Sequence, residues 1–470
     1  MNTQKNDLTS KVVVINLMIG LAFLLVSSSI IAQKVYSLED CINLALENNI
    51  RIKQSKLEVE SADITQLQSK LDLLPSANAS ASHSFGWGRS LDQATYEYVD
   101  KQSQSSYFNI SSDLTLFSGF QKLNTVKQKR ADYLAAKYNS DKMQNDISLT
   151  VAGSYLQILF ARELLSNARA QAEITRQQVE RTKKLVEAGT LAKGSLLEVQ
   201  AQAANEEVSV IQAENQLNLA YLDLLQLLEL EAGTPFQIDV PALKVAQDPG
   251  LLPVDMIYNK ALEVMPEIKS AEMSLESSKR GLYIAQGSRS PSLGMSAALG
   301  TNYSDQIRVS NNPLDPDYLN IKPFSNQWKD NRSATLSVRL SIPIFNGYQI
   351  SSYVGKSKLG LMNADYNLQI AKNALRKNVE TAYTDALASH TTFKARERSL
   401  TSLRESFNYT EQKFNVGMVN AIDYNVAKNQ MNRSESDLLS AKYDYIFKLK
   451  ILDFYLGRTL TLADMKEFME

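Results

Sequence analysis

One stretch of this chain occurs twice in the same register. The segment from Phe117 to Leu228 recurs as Phe345 to Leu456. It opens at a strand end, Leu116-Phe117-Ser118-Gly119, which returns as Ile344-Phe345-Asn346-Gly347. It turns at Val186-Glu187-Ala188-Gly189-Thr190-Leu191, which returns as Phe414-Asn415-Val416-Gly417-Met418-Val419. Both glycines move by 228 positions, from 119 to 347 and from 189 to 417. A repeat this long, without net insertion, means one body built from two like halves rather than several unrelated domains. An upstream segment repeats as well. Ala45-Leu46-Glu47 matches Ala261-Leu262-Glu263, Ile52-Lys53 matches Ile268-Lys269, and Pro75-Ser76 matches Pro291-Ser292, all at an offset of 216. The offset grows from 216 to 228, so the second copy carries 12 extra residues between its Pro-Ser pair and its strand end. The expected organisation is 1–32, a secretory signal; 33–230, the first repeat; 231–253, a linker; 254–457, the second repeat; and 458–470, a tail.

The signal reading rests on Lys5 and Lys11 ahead of the apolar run from Val12 to Val26, with small residues leading to Ala32. An uncleaved membrane anchor is its alternative. The remainder holds too many charged and amide side chains between its apolar positions to be a bundle of transmembrane helices. With 51 acidic against 50 basic residues, nothing in the charge balance points to nucleic acid. The single cysteine excludes a disulfide framework and reads as a small apolar residue on a helix face, Leu38-Glu39-Asp40-Cys41-Ile42. His83 and His390 stand apart and suggest no metal site, and no phosphate loop or nucleophile elbow appears. These absences argue against an enzyme and against a resident cofactor.

Helical spacing dominates. Ser37 and Asp40 have capping-box spacing, followed by apolar residues to Leu73 and a stop at Pro75. A long helix is expected from about Lys122 to Val186, roughly 100 Å at 1.5 Å per residue. Return helices run from Lys193 to Leu230 and from Ala421 to Tyr455, and a further helix from Val254 to about Gln286. The shorter helices, stacked end to end in pairs, match the long ones, which predicts one long cylinder. In the first return helix Leu196, Val199, Ala203, Val210, Ala213 and Leu217 keep a coiled-coil seam, interrupted by Glu206. In the last helix Ser434 and Lys448 intrude on the corresponding seam of Tyr424, Met431, Leu438 and Tyr445.

Between helices, each copy holds a strand pair. Phe108, Ile110, Leu114 and Leu116 alternate with polar neighbours, as do Leu336, Val338, Leu340, Ile342 and Ile344. The earlier strands, about Ser76 to Gly86 and Pro291 to Leu299, are weaker, and the insertion falls in the loop from about Thr301 to Asp330. Trp87, Trp328, Tyr96, Tyr98, Tyr107, Tyr318 and Phe324 lie near these hairpins, as in the aromatic girdle of a membrane barrel. A sheet in a bilayer must close, and four strands cannot enclose a channel. Two chains would supply eight strands and three chains twelve.

Together the signal, the Ala-Leu-Glu helix starts, the Pro-Ser pairs, the Phe-x-Gly strand ends and the turns at Gly189 and Gly417 resemble the TolC-like outer membrane efflux proteins. The resemblance covers nearly all of the chain after residue 32. It implies a mixed α and β membrane protein of two tandem structural repeats. Long coiled-coil α-helices would form a periplasmic α-barrel, and four strands per chain would contribute to a 12-stranded outer membrane β-barrel in a homotrimer. It implies an export channel of a tripartite efflux or type I secretion system. Its partners would be a periplasmic adaptor (membrane fusion) protein, an inner membrane pump of the RND or ABC type, and outer membrane lipid. By the same resemblance Gly189, Thr190, Leu191, Gly417, Met418 and Val419 meet the adaptor. Asp423, Phe414 and Val426 stand at the periplasmic gate. Here the sequence departs from the family: Val426 replaces a second carboxylate, Val419 a tip arginine, and Phe414 a tyrosine. Asn49 is followed by Ile50 where the second copy has Pro266. The competing reading from another class is a secreted coiled-coil stalk or adhesin without a pore, against which the amphipathic strands argue.

Overall fold

The computed structural model describes residues 35–91, 96–231, 233, 235–241, 250–310, 312, 314–318 and 320–462. The expected signal at 1–32, much of the 231–253 linker and the end of the 458–470 tail lie outside them. The elements are, in order, β1 (Val35–Tyr36), α1 (Leu38–Asn48), α2 (Ile50–Leu71), β2 (Asn78–Leu91), β3 (Tyr98–Ser118), α3 (Gln121–Glu187) and α4 (Lys193–Leu227). There follow β4 (Gln237–Ile238), α5 (Val254–Val264), α6 (Pro266–Gly287), β5 (Ser292–Ser304), α7 (Phe324–Asp330), β6 (Ser333–Ser341), α8 (Gln349–Asn415) and α9 (Ala421–Tyr455). The repeat is visible in the lengths: α3 and α8 each have 67 residues, and α4 and α9 each have 35. The described residues group into two compact units. One draws on the ranges 1–45, 151–246 and 460–470, the other on 46–150 and 247–459.

In the first unit the start of α1 is tied down by the expected capping box. Asp40 N donates to Ser37 Oγ at 3.1 Å and Ser37 N to Asp40 Oδ2 at 3.0 Å, which satisfies two amides that α1 would otherwise leave orphaned. Cys41 and Ala45 are fully buried, as the apolar spacing requires. Burial and, secondarily, Asp40 push the Cys41 thiol up to about 12, so it is a packing residue and not a nucleophile. Just before α1, β1 pairs in parallel with β4, Val35 opposite Gln237 and Tyr36 opposite Ile238. Neither two-residue strand is long enough to carry a periodic signal, and β4 lies within the stretch expected to be a linker. Tyr155 on α3 holds the pair: its hydroxyl donates to Asp239 O at 2.7 Å and lies 3.3 Å from Tyr36 O, and the Tyr36 and Phe236 rings stack at 4.7 Å. Burial raises the Tyr155 pKa, so the hydroxyl stays a donor. The seam of α4 is buried at Val199, Glu206, Ala213 and Ala220, a strict seven-residue period. Glu206, read as an interruption, belongs to it. Its carboxylate accepts from Thr175 Oγ1 of α3 and from Gln202 Nε2 at 3.0 Å. A buried carboxylate persists in such a seam only when its oxygens are hydrogen-bonded.

In the second unit, helices expected to be continuous are broken. The first expected helix ends at Asn48 and restarts at Ile50; the Val254 helix ends at Val264 and restarts at Pro266. The two breaks sit 216 residues apart and have different causes. Pro266 occupies the first turn of α6 and drives Met265 to φ −66°, ψ 125°. Asn49 reaches φ −58°, ψ 126° without a proline, because its Oδ1 accepts from Arg51 N at 3.0 Å and caps α2. The core here joins Ile257 and Ala261 of α5, Met265 at the break and Ile268 of α6 to Leu368, Leu375, Val379 and Ala382 of α8 and Leu452 of α9. Ile257 occupies the place that Cys41 holds in the first copy. Across α8 and α9, the expected intruder Lys448 pairs with Asp385 at 2.8 Å.

Among the described residues the same unit carries one four-stranded antiparallel sheet, in the order β2-β3-β5-β6. The first hairpin is longer than the alternation suggested: β2 and β3 pair from Asn78↔Ser111 to Leu91↔Tyr98. The register between β3 and β5 shifts between Thr115 and Phe117, which sets Phe117 opposite Leu293. Phe117 therefore joins the apolar face, which the unbroken alternation had given to Leu116; a bulge inserts one residue and reverses the sides beyond it. β6 ends at Ser341, ahead of Pro343, so Ile342 and Ile344 lie past the strand. The insertion is not simply a loop, since it contains α7. Among the described residues no helix is long and apolar enough to cross a membrane.

Candidate functional site: the hairpin tips and the two-faced sheet

Each long helix ends in a tight turn. At the tip of α3 and α4, Gly189 has φ +74°, Thr190 N donates to Leu185 O at 2.9 Å, and Gly189 N to Val186 O at 3.0 Å. At the tip of α8 and α9, Gly417 has φ +77°, Met418 N donates to Lys413 O at 2.9 Å, and Gly417 N to Phe414 O at 3.0 Å. Both are Schellman closures, in which a left-handed residue lets the next amide satisfy a carbonyl left over from the last helical turn. A Cβ built at either glycine meets nothing within 4 Å, so backbone conformation, not space, demands glycine there.

Around the first tip, Thr190 also donates its Oγ1 to Leu185 O at 2.8 Å, and Leu191 is exposed. The second tip is more apolar on its surface. Val416, Met418, Ile422 and Val426 are all exposed, Met418 to 78%, while Val419 is half-buried. Ile422 and Val426 are one helical turn apart and share a face of α9. Phe414 does not project freely. Its ring stacks on Tyr424 at 4.6 Å, and Tyr424 in turn meets Phe407 at 5.4 Å, an aromatic ladder that ties α8 to α9 just behind the turn. Tyr424 was legible as a seam residue, but its stacking on Phe414 was not. Asp423 sits exposed in the first turn of α9, where the helix dipole favours a carboxylate, and its amide is capped by Asn420 Oδ1 at 2.8 Å. The second tip thus brings Phe414, Met418, Asp423 and Val426 onto one hairpin end. Gly189, Thr190 and Leu191 form the end of the other.

The sheet has two chemically distinct faces, because residues directly opposite in neighbouring strands point the same way. One face carries Phe108, Ile110 and Leu114, then Met295, Leu299 and Ala297, then Leu336, Val338 and Leu340. The other carries Asn109, Ser111, Asp113, Ser296, Thr335, Ser337 and Arg339. Ile110, Leu299, Leu336, Val338 and Leu340 are each more than half exposed. Exposed aliphatic side chains in a continuous sheet face call for an apolar surrounding.

The profile of the family described as Outer membrane efflux protein matches residues 41–229 and 257–458, one stretch for each structural repeat. The chain belongs to the outer membrane efflux protein family. Its members lie in the outer membrane and extend into the periplasm, and the apolar sheet face and the long polar helices divide this chain in the same way. Two relatives illustrate the family's range. "Outer membrane protein TolC" of Vibrio cholerae is 24% identical over 92% of this chain and 92% of its own length. "Alkaline protease secretion protein AprF" of Pseudomonas aeruginosa is 21% identical over 91% of this chain and 85% of its own. The solved structure of CusC superposes with a TM-score of 0.76 at 18% identity, covering 90% of this chain and 92% of that one, so the fold is shared. These efflux-family relatives are channels and not enzymes.

Proposed function

We propose that this protein is the outer membrane duct of a tripartite efflux or type I secretion machine and works as a homotrimer. The observation that carries this reading is the sheet: four strands, one apolar and one polar face, with β2 and β6 at its edges. In hydrocarbon each unmet edge amide or carbonyl costs several kcal/mol, so such a sheet closes only with other copies. Three copies supply twelve strands, enough to leave a polar lumen lined by the face of Asn109, Asp113 and Arg339.

The helical hairpins then form the periplasmic part, and their tips receive a periplasmic adaptor protein that links the duct to an inner membrane pump. Thr190 and Leu191 on one tip and Met418 and Val419 on the other supply the contact surface, with Gly189 and Gly417 setting its shape. Met418, at 78% exposure, gains most from being covered. Asp423 is the carboxylate of the mouth. Repeated in three copies it makes a ring that draws cations, and Val426, an exposed apolar residue one turn along, forms a hydrophobic collar in place of a second acidic ring. Phe414 acts indirectly, by holding Tyr424 and hence the start of α9. The energy for transport comes from the pump.

The test is the mass of the purified protein in detergent together with its conductance in planar bilayers. A trimer with cation-selective openings supports the duct, and a water-soluble monomer without conductance overturns it. Asp423→Ala is expected to raise conductance or weaken cation preference; identical conductance and selectivity would remove the gate role while leaving the duct intact.

A further inference from the structure

The connection between β5 and β6, which carries the second copy's 12 extra residues, builds a small module at the end of the sheet away from the helices that flank it. Its centre is α7. Gln327 is completely buried and makes three hydrogen bonds: its Oε1 accepts from Ser304 N at 2.9 Å, and its Nε2 donates to Ser304 O at 2.9 Å and Lys322 O at 2.7 Å. Thr301 Oγ1 donates to Trp328 O at 3.0 Å and Asn331 Nδ2 to Asn302 O at 2.8 Å. The insertion is therefore pinned to the end of β5 rather than left to sample solvent.

The side of the sheet it covers is the informative point. Trp328 meets Phe108 edge-on at 4.8 Å, and Phe324 meets Tyr303 at 5.5 Å. Phe108, Thr301 and Tyr303 belong to the apolar face, and Thr301, bonded to Trp328 O, is buried against the helix. Directly below on the same strands and the same face come Ile110 and Leu299, both exposed. Phe324, Gln327 and Trp328 share one side of α7; Ser325, Asn326, Lys329 and Asp330 share the other. Phe324 and Trp328 keep 47% and 41% of their surface open, continuous with that aliphatic band. From Leu293 to Thr301 is roughly 27 Å along the strand, or about 21 Å in height at a tilt near 40°, so α7 stands at the upper rim of an apolar belt of membrane thickness.

We infer that α7 is an interfacial anchor that lies against the outside of the barrel at the headgroup level of the outer leaflet. Phe324 and Trp328 rest on the acyl boundary; Lys329 and Arg332, both exposed, reach the headgroups. The occupant of this surface is lipid. The aromatic side chains take the boundary region, where a ring with one apolar side and one polar edge is most stable, and so fix the depth at which the strands sit. The inference rests on the barrel reading above.

The chain has two tryptophans, so Trp87→Phe leaves Trp328 as the sole reporter. That variant, reconstituted in phosphatidylcholine vesicles brominated at shallow, middle or deep acyl positions, should show Trp328 quenched most by the shallow bromines and little by aqueous acrylamide. Adding Gln327→Ala, which removes the pin, should abolish the shallow quenching; Phe324→Asp should do the same by placing a charge at the acyl boundary. Quenching by acrylamide alone, shielding from both quenchers, or strongest quenching by deep bromines would each overturn the inference. The same vesicles are assayed for heat-resistant trimers and conductance. If those are present and the quenching pattern is absent, only the anchor fails; if they are absent, the barrel fails and the anchor with it.

Discussion

Replacing Gly189 by alanine isolates one cost. The residue sits at φ +74°, and a Cβ there would touch nothing within 4 Å, so no clash adds to the backbone term. An L-residue in the left-handed region pays about 1–2 kcal/mol. That strain falls on the closure in which Thr190 N and Leu191 N both donate to Leu185 O, at 2.9 and 3.3 Å. Local opening should therefore become easier by roughly 5- to 30-fold, with the rest of the fold untouched. Hydrogen exchange followed by mass spectrometry over the peptide spanning residues 184 to 195 reads this directly. Asparagine, which tolerates the left-handed region, should fall between glycine and alanine. Gly417→Ala should act alike on the Met418 amide. If Gly189→Ala leaves exchange unchanged, or asparagine proves worse than alanine, the conformational argument is wrong and the glycine is kept for some other reason.

Three further outcomes follow from the helical cores. Glu206→Leu should leave the thermal midpoint unchanged or raise it, because an apolar residue completes the α4 seam and Thr175 keeps Gln171 O as acceptor at 3.1 Å; Glu206→Ala should lower stability by about 1–3 kcal/mol, and the reverse ranking would contradict the seam. Asn49→Ala should cost about 1 kcal/mol and speed exchange at Arg51 N, whereas Met265→Ala should leave the α5–α6 break in place because Pro266 makes it. For Cys41, the folded pKa of about 12 against an ordinary 9.0 means that its contribution is fully present below pH 9 and is lost as pH rises towards 12. At pH 8 the folded chain should react with a maleimide about a thousandfold more slowly than the unfolded one, on ionisation alone; equal rates would mean that the α1 packing is open in solution.

The sequence was most legible where local chemistry and long-range packing agree. The turn at Gly417 and the start of the last helix at Ala421 could be read because a glycine suited to a left-handed turn and a heptad mark the same region; the Asn420 cap shows only in the structure. The break at Asn49 escaped because Ile50 and Ile52 continue the helical pattern, and whether an asparagine caps or merely faces solvent depends on its own rotamer. Its counterpart at Met265 was signalled by Pro266, although the apolar period ran straight through it. Glu206 looked like a defect because its partner Thr175 lies on the neighbouring helix. The bulge before Phe117 depends on the register of β5, which no pattern within β3 reveals. α7 was masked by Asn, Asp and Pro on either side, and its pin, Gln327, has meaning only once Ser304 is placed beside it. At the tips, exposure of Leu191 and Met418 was foreseeable from their place at a turn; the Phe414–Tyr424 stack required both helices.

The discontinuity of the first unit bears on how the polypeptide matures. Val35 finds its partner only at Gln237, Tyr155 closes over both strands, and Leu460 and Leu462 are buried in the same unit's range of the chain. A chain threaded across a membrane from its amino end delivers these pieces early, midway and last. The earliest strand waits through some two hundred residues of synthesis, and the unit is sealed only when residue 462 arrives. Products that stop short of this point therefore lack side chains, Leu460 and Leu462, that the finished unit keeps buried.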